Sequence, residues 1–266
     1  MTDSFFTTLS ESAGARRYLA GPHTAGPWAD HLQHGGPPNA LAVAAAESAV
    51  ALETGRTDLV AMRLSADFVG PVPVGEIETR ARVVRAARSA ALVEVMVSGA
   101  DRDCLHVRVW FIRRSDTAAV AARPSPPPAL PEAPSDLGFH FPYVDSLEWR
   151  FVYGAFTTPG PAAAWVRPAV PLVGGYELSG LARAVLIADS ASGISAELDW
   201  SRWSFVNVDL DVHLARPFEG EWVFMDAASQ LGSYGCALTR STLSDLRGRV
   251  GGGMQTLVLT ELRPAD

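Results

Sequence analysis

The segment Asn207–Leu214, NVDLDVHL, holds the densest run of side chains that could do acid–base chemistry. Because successive side chains of a strand point to opposite faces of a sheet, its alternation predicts one apolar face and one polar face. The polar face would carry Asn207, Asp209, Asp211 and His213. A carboxylate on that face could remove a proton from water, but periodicity does not distinguish Asp209 from Asp211.

A glycine-rich stretch, GRVGGGMQTLVL, begins at Gly248 and leads into an apolar strand. Its three consecutive glycines would allow another backbone or a ligand to approach closely. Gln255 follows them, and its neutral amide can donate to one oxygen and accept from a water molecule. Gln255 is therefore a candidate partner for a carboxylate, the alternative being a surface glutamine after a turn.

The stretch HGGPPNAL, which begins at His34, places two glycines and two prolines immediately before an alanine-rich helical run. The first amide N–H groups of a helix lack internal partners and carry partial positive charge, while proline is tolerated in the first turn. Such amides can stabilise negative charge that develops during a reaction. Gly36 and Gly35 are therefore candidate donors, unless the stretch is only an entry turn.

Several other chemistries are excluded by residue type or spacing. Every basic residue is arginine, so Schiff-base chemistry has no lysine. There is no Gly-x-Ser-x-Gly elbow, no phosphate-binding loop and no dinucleotide fingerprint. The histidines lack the spacing of metal ligands. We therefore expect no metal and no cofactor.

Composition indicates a globular protein of the cytoplasm. The chain is 48% hydrophobic and 19% charged, and no apolar run approaches the length of a membrane span. The N-terminus lacks the pattern of a signal peptide, and Cys104 and Cys236 are expected to be buried free thiols. The net charge is −7 with scattered arginines, which argues against a nucleic-acid partner.

A proline-rich stretch divides the chain into halves that resemble each other. It predicts an N-terminal domain of residues 1–115, a linker of residues 116–136 and a C-terminal domain of residues 137–266. Each half runs from a helix, near Pro38–Glu53 or Leu178–Ser195, into several strands, and GPVPVGEI of the first half matches ARPFEGEW of the second. A long helix followed by antiparallel strands, twice over, is an α+β pattern.

The two copies differ in what they carry. At corresponding positions Leu64 stands opposite Asp209, and His34 stands opposite Tyr176. The first copy therefore has the His-Gly-Gly helix start without the acid, and the second has the acid but reads GGYELSG, with no His-Gly-Gly. This complementarity predicts one composite site between the halves.

The motifs HGGPPNAL, DLDVHLARPFEGEW and GRVGGGMQTLVL together resemble the double-hot-dog acyl-CoA thioesterases of the acyl-CoA thioesterase II type, particularly their actinobacterial branch. The resemblance implies a tandem hot-dog, in which each half is a curved antiparallel sheet around a long helix. It also implies hydrolysis of an acyl-CoA substrate to a carboxylic acid and CoA, without metal, in a homodimer.

The resemblance also implies roles for individual residues. The family's catalytic aspartate stands seven residues before an Arg-Pro pair, which selects Asp209, and its glutamine matches Gln255. Together they would position the attacking water, while Gly36, assisted by Gly35, would hold the oxyanion. His34 would shape that turn.

Two parts of the family pattern are less direct in this sequence. The family's threonine has no match, and the aligned residue is Ser229, Gln230 or Ser233; Ser229 keeps a hydroxyl with the least shift. Related single-hot-dog thioesterases can place the acid on the helix, which makes Asp189 the alternative carboxylate.

Two rival functions remain open. A hot-dog hydratase or dehydratase would need an acid–histidine pair, for which Asp209 or Asp211 with His213 is the available feature. A non-catalytic acyl-CoA-binding protein is suggested by the missing threonine. Hydration of crotonyl-CoA would indicate the first, and binding without thiol release the second.

Overall fold

The longest helix, α1 (Gly36–Thr54), forms where the alanine-rich run predicts it. The computed structural model describes residues 3–12 and 14–262. Two prolines occupy the first turn of α1, and Gly55 ends the helix in the left-handed conformation, at a φ of 64°. Because alanine combines high helix propensity with a small side chain, the helix is buried over most of its length and neighbouring elements can approach it closely.

The remaining elements are mostly strands. The first half contains β1 (Phe6–Ser12), β2 (Ala15–Ala20), β3 (Leu59–Phe68), β4 (Glu76–Ala86), β5 (Ala90–Gly99) and β6 (Arg102–Arg113). The second half contains α2 (Pro142–Asp145), β7 (Leu147–Ala155), β8 (Thr158–Pro168), α3 (Gly180–Ala188), α4 (Ala191–Ile194), β9 (Trp203–Asn207), β10 (Asp209–Leu214), β11 (Val223–Leu231), β12 (Cys236–Asp245) and β13 (Gly248–Glu261). Short 3-10 turns occur at Pro22–Thr24 and Ala118–Val120.

The strands form one 13-stranded sheet in the order β1-β2-β4-β5-β6-β3-β10-β13-β12-β11-β8-β7, and β9 pairs with β13. All of these pairings are antiparallel. The halves join where β3 pairs with β10, with Ala66 opposite Leu210. Strand β3, the first after α1, thus meets β10, the second strand after α3 and α4, at the junction.

The helices lie against this sheet and against each other. Helix α1 contacts β4, β5 and β6 of its own half, and it also contacts α3. Ser179 caps the start of α3, where its Oγ accepts a hydrogen bond from the Ala182 amide at 3.2 Å. The single helix expected over Leu178–Ser195 is interrupted, because α3 ends at Asp189 and α4 is a separate short turn. The acid at the break is thereby brought to the end of a helix.

The expected strict alternation along Asn207–Leu214 holds only from Asp209 onward. A break between β9 and β10 falls at Val208, which is 39% exposed, whereas Leu210 and Val212 are buried. Asn207 therefore points inward, and Asp209 points outward with Asp211. One irregular residue reverses the orientation that periodicity assigns to Asn207.

The proline-rich segment contains no strand and follows the surface of the second half. The Trp165 indole N–H donates to the Pro128 carbonyl at 3.2 Å, and the Arg150 guanidinium donates to the Pro131 carbonyl at 2.6 Å. Cys104 is buried as expected, but Cys236 is exposed because it begins β12 beside a hairpin turn. None of the described helices is long and apolar enough to cross a membrane.

Candidate active site

The Asp189 carboxylate is the centre of a buried polar cluster. Its Oδ1 accepts hydrogen bonds from the Asn207 amide at 2.8 Å and from the Gln255 amide at 3.4 Å. Its Oδ2 lies 2.9 Å from Nδ1 of His34. Asp189 is 4% exposed, His34 is 7% exposed and Gln255 is 1% exposed. A buried carboxylate requires such partners, because removing an uncompensated charge from water is very costly.

Elements of both halves supply this cluster. Asp189 ends α3, Asn207 ends β9, and Gln255 lies on the inward face of β13, all in the second half. The Gln255 amide also donates to the Asp189 backbone carbonyl at 3.1 Å, which ties the helix end to the sheet. His34 comes from the first half, immediately before α1. The cluster therefore spans the two halves, but its acid is Asp189 and not the Asp209 from which the composite site was predicted.

The amide oxygen of Gln255 is the unused acceptor in this cluster. Oε1 is buried, and no described residue donates a hydrogen bond to it. Buried polar atoms without a partner are uncommon and indicate a role. The Gln255 Nε2 group is held against Asp189. Oε1 is therefore placed to accept a hydrogen bond from a small molecule that lies close to the Asp189 carboxylate.

The start of α1 presents very few donors. Pro37 and Pro38 have no amide hydrogen, so the free N–H groups of the first turn reduce to those of Gly35 and Gly36. The Gly36 nitrogen lies 3.2 Å from Nδ1 of His34. Within the described residues, the Gly35 N–H has no acceptor. The two glycines expected as donors thus remain the candidates.

The two glycines are also required by close packing. A Cβ on Gly36 would lie 2.2 Å from the Leu186 carbonyl oxygen of α3. A Cβ on Gly35 would lie 2.6 Å from the Phe68 ring and 2.8 Å from Oδ2 of Asp189. The absence of side chains therefore lets α1 approach α3 and lets the helix start reach the carboxylate.

Aromatic rings fix the orientation of His34. The Tyr143 ring stacks on the imidazole with centroids 3.9 Å apart and planes 6° apart. The Tyr143 hydroxyl donates to the Leu186 carbonyl at 2.6 Å and lies 2.9 Å from Oγ of Ser190. Burial raises the pKa of Tyr143, so its side chain is uncharged where it stacks on His34. No spacing in the sequence indicates that Tyr143 belongs to the site.

Two pockets meet at this cluster. The outer pocket, of about 400 Å³, is lined by apolar side chains such as Leu32, Phe68 and Val208, and it reaches Gly35 and Asn207. The inner pocket, of about 30 Å³, reaches Asp189 and His34 and is lined by the aromatic residues Trp28, Phe139, Phe141, Phe156 and Phe205. A substrate in the outer pocket would therefore lie beside the helix start, with the carboxylate beyond it.

Asp209, the aspartate selected by family resemblance, is not brought to Gln255. Its Oδ1 accepts from the Thr256 amide at 2.5 Å, and its Oδ2 accepts from the Thr256 hydroxyl at 3.3 Å. Thr256 and Gln255 are successive residues of β13 and face opposite sides of the sheet. The prediction that Asp209 and Gln255 converge is therefore wrong in this structure, and the alternative carboxylate, Asp189, takes that place.

Ser229 lies on the inward face but does not contact Asp189. Its Oγ is 2.7 Å from Oγ1 of Thr239 and 2.9 Å from Oγ of Ser195. Thr239 pairs with Ser229 on one side and with Gln255 on the other. Ser229 is thus separated from Gln255 by one strand. Asn207, which sequence reasoning placed on the wrong face, occupies the third position around the carboxylate.

The pair that would suggest a hydratase lies on the outer face. Arg63 donates to Asp211 at 3.0 Å, and its Nε lies 3.4 Å from Nε2 of His213. Both groups are therefore engaged with arginine, away from the buried cluster. Among the residues that the structure describes, no group of three His, Cys, Asp or Glu side chains is placed to bind a metal ion.

Several solved structures have a fold similar to that of this chain over nearly its whole length. A candidate thioesterase II from Thermobifida fusca YX shares 20% identity over 96% of this chain and 95% of that chain, with a TM-score of 0.74. The acyl-CoA thioesterase II TesB2 from Mycobacterium marinum shares 14% identity over 97% and 96%, with a TM-score of 0.70. A conserved protein of unknown function from Alicyclobacillus acidocaldarius, with a hot dog fold, shares 15% identity over 96% of each chain, with a TM-score of 0.72. At these identities the likeness shows the fold, which is the hot-dog fold.

Family models give the more specific result. No curated protein matches the sequence significantly. The model of the acyl-CoA thioesterase N-terminal domain matches residues 24–112, and the model of the C-terminal domain matches residues 121–259. These matches cover most of the chain, in the order expected from its two halves. The chain therefore belongs to the acyl-CoA thioesterase family.

Proposed function

We propose that this protein hydrolyses an acyl-CoA thioester to a carboxylic acid and CoA, at one site between two tandem hot-dog units. The units are residues 1–115 and 137–266, joined by residues 116–136. The observation that carries the proposal is the buried Asp189 carboxylate, held by two amides, with the unpartnered Oε1 of Gln255 beside it. This arrangement suits a water molecule that donates one hydrogen to each.

The base in this proposal is Asp189 in place of Asp209. Asp189 removes a proton from the water while Gln255 orients it, and the water oxygen forms a bond to the thioester carbonyl carbon. Asn207 holds the other side of the carboxylate at 2.8 Å and keeps it aimed at the water. Asp209 has no role in this step, because it lies on the opposite face of the sheet.

The carbonyl oxygen becomes negatively charged during the attack. The Gly35 and Gly36 N–H groups at the start of α1 are the donors that would stabilise it, assisted by the helix dipole. When the tetrahedral intermediate collapses, the carbon–sulfur bond breaks and the proton held by Asp189 passes to the departing CoA thiolate. The water, the acyl group and the thiol are then all accounted for, without a covalent enzyme intermediate.

The two pockets suggest how the substrate lies. The outer apolar pocket, with a volume of about 400 Å³, would hold the part of the substrate that adjoins the thioester carbonyl group. The inner aromatic pocket, of about 30 Å³, would limit the group that extends past Asp189. Ser229 is assigned a supporting role, in which its hydroxyl holds Thr239 beside Gln255.

The proposal is tested by thiol release from a panel of acyl-CoA substrates of different chain length. Removing a general base lowers the rate by roughly 10²- to 10⁴-fold, so Asp189→Asn should reduce kcat by about that factor. Asp209→Asn is the matched control and should retain activity within about 3-fold, because surface changes of this kind are small in effect. No turnover on any chain length, or full activity in Asp189→Asn, would contradict the proposal. Binding of acyl-CoA without thiol release would indicate the non-catalytic alternative.

A further inference from the structure

We infer that the proton on Nδ1 of His34 decides whether the Gly36 N–H is free to stabilise an oxyanion, so that His34 is a positioning residue for both the base and the donor. This inference rests on the proposed function for its kinetic meaning. Its structural content, the location of one hydrogen atom, can be measured in a protein without activity.

The inference comes from the two contacts of His34 Nδ1, which require opposite hydrogen-bonding roles of that nitrogen. Nδ1 of His34 lies 2.9 Å from Oδ2 of Asp189 and 3.2 Å from the Gly36 nitrogen. A neutral imidazole nitrogen carries either a hydrogen or a lone pair. With a hydrogen it donates to the carboxylate and cannot accept from Gly36. With a lone pair it accepts from Gly36 and faces a carboxylate oxygen without a hydrogen between them.

The two arrangements differ in competence for hydrolysis. When Nδ1 carries the hydrogen, Asp189 is held as a carboxylate and the Gly36 N–H has no acceptor on the ring, so it can donate to a substrate oxygen. When Nδ1 carries the lone pair, the Gly36 N–H is occupied, and the 2.9 Å contact is unfavourable unless Asp189 itself is protonated. A hydrogen on Nδ1 therefore keeps Asp189 ionised as the base and leaves the Gly36 N–H available as the oxyanion donor.

The surroundings of the ring leave few other groups that could set its protonation. Asp189 faces it from the end of α3, and Tyr143 of α2 stacks on its plane with the hydroxyl already bound to Leu186. Trp28 and Phe141 stack at 6.1 Å and 6.2 Å and carry no titratable group. Among the described residues, Asp189 is therefore the charged group in contact with the imidazole nitrogen, and it favours a hydrogen on Nδ1.

The first test locates the hydrogen by nitrogen NMR of the imidazole ring, assigned by comparison with a His34 variant. In the wild-type protein at neutral or slightly alkaline pH, we expect Nδ1 to be protonated. In Asp189→Asn the carboxylate is gone, and Nδ1 should become the acceptor of the Gly36 N–H, leaving the hydrogen on Nε2. The same protonation of Nδ1 in both proteins would overturn the inference, whether or not the protein hydrolyses acyl-CoA.

The second test compares two variants of the ring by their pH profiles. His34→Asn can place an amide donor near the Nδ1 position, whereas His34→Phe keeps an aromatic ring against Tyr143 and has no donor. Losing a donor to the charged form disfavours that form, so the acidic limb of kcat/KM should move to higher pH in His34→Phe. It should stay in place in His34→Asn, and thermal unfolding would show that both variants are folded.

The outcomes separate the two proposals. Identical pH profiles for both variants and the wild type would assign His34 a purely structural role. If no acyl-CoA is hydrolysed, the proposed function fails and the NMR comparison still decides the position of the hydrogen. If hydrolysis is found and Nδ1 does not respond to Asp189→Asn, only the inference about His34 fails.

Discussion

The Tyr176 hydroxyl donates a hydrogen bond to Oε2 of Glu47 at 2.6 Å, and this contact is the counterpart of the one between His34 and Asp189. The same number of positions separates His34 from Tyr176 and Glu47 from Asp189 along the chain. In each case a ring before one long helix meets an acid carried by the other helical region. Tyr176 is followed by Glu177 and Leu178 where His34 is followed by two glycines, and Ser179 caps α3. It is a structural counterpart of the candidate site without the two glycines that follow His34.

Glu47→Gln should therefore leave hydrolysis unchanged and alter the pH dependence of stability. Burial raises the pKa of Glu47 above its ordinary 4.5, although Ser179 and Tyr176 oppose the shift. A raised carboxyl pKa means that stability is fully present below the ordinary value and is lost as pH rises through the folded value. Between pH 4.5 and neutral pH, wild-type Tm should fall relative to the variant. A constant difference in Tm across that range would contradict this prediction.

Asp245→Asn should destabilise the second half, because Asp245 is fully buried and bound to several donors. Arg216 donates to both carboxylate oxygens at 2.5 Å and 2.7 Å, and the amides of Glu219 and Arg247 donate at 3.0 Å and 2.9 Å. Removing one partner of a buried pair costs about 3 to 5 kcal/mol. Urea unfolding should show a loss of about that size, whereas Glu261→Gln, which affects an exposed pair with Arg202, should change little.

The same carboxylate should make stability fall in acid. Burial opposes ionisation of Asp245, but the Arg216 guanidinium and the amides of Glu219 and Arg247 outweigh it and lower its pKa. A depressed carboxyl pKa contributes stability above the ordinary value of 3.8 and loses it as pH falls through the folded value. The stability gap between wild type and Asp245→Asn should therefore narrow below pH 3.8. An unchanged gap at lower pH would contradict the assignment.

Gly36→Ala should disturb the contact between α1 and α3. The added Cβ would lie 2.2 Å from the Leu186 carbonyl oxygen, which is backbone and cannot rotate away. Overpacking of this kind typically costs about 1 to 3 kcal/mol. The change is measured as a lower Tm by circular dichroism, together with loss of thiol release. Gly193→Ala is a suitable control, since its Cβ would meet Phe156 at an ordinary 3.9 Å, and a similar loss in both variants would contradict the packing argument.

Gln255→Ala should lower kcat far more than it lowers substrate affinity. The variant loses the donor to Asp189 and the buried Oε1 that would orient the attacking water. Loss of one such positioned group costs about 10² to 10³ in rate. Gln230→Ala, on the exposed side of β11, is the matched control and should behave like the wild type. Equal activity in the two variants would contradict a role for Gln255 in positioning the water.

Phe139→Ala should shift the preference of the enzyme toward longer or bulkier acyl groups. Phe139 packs against Phe141, Phe156 and Trp200 at the inner pocket, whose volume is about 30 Å³. Truncating the ring would enlarge that space. Relative kcat/KM values for acyl-CoAs of increasing length would report the shift, and an unchanged order of preference would place the acyl group elsewhere.

The elements and their general placement could be predicted from the sequence. The alanine-rich run with prolines at its start produced α1, and the matching stretches GPVPVGEI and ARPFEGEW lead into β4 and β11 of the two halves. Helix propensity, turn residues and the alternation of apolar and polar side chains act over a few residues, so they can be recognised in the sequence alone. Comparison of the two halves also predicted a shared site, but with Asp209 as its acid.

The identity of the carboxylate depended on the tertiary structure. Asp209 satisfied the motif, yet it lies on the outer face of the sheet, whereas the irregularity at Val208 turns Asn207 inward. Asp189 reaches the site because α3 ends there and because α1, lacking side chains at Gly35 and Gly36, packs closely enough to bring His34 within 2.9 Å. The sequence by itself determined which side chains were available and how the helices begin. Only the packing of one half against the other decided which of those side chains come together. The strand register and the distance between the helices are set by contacts between residues far apart in the chain.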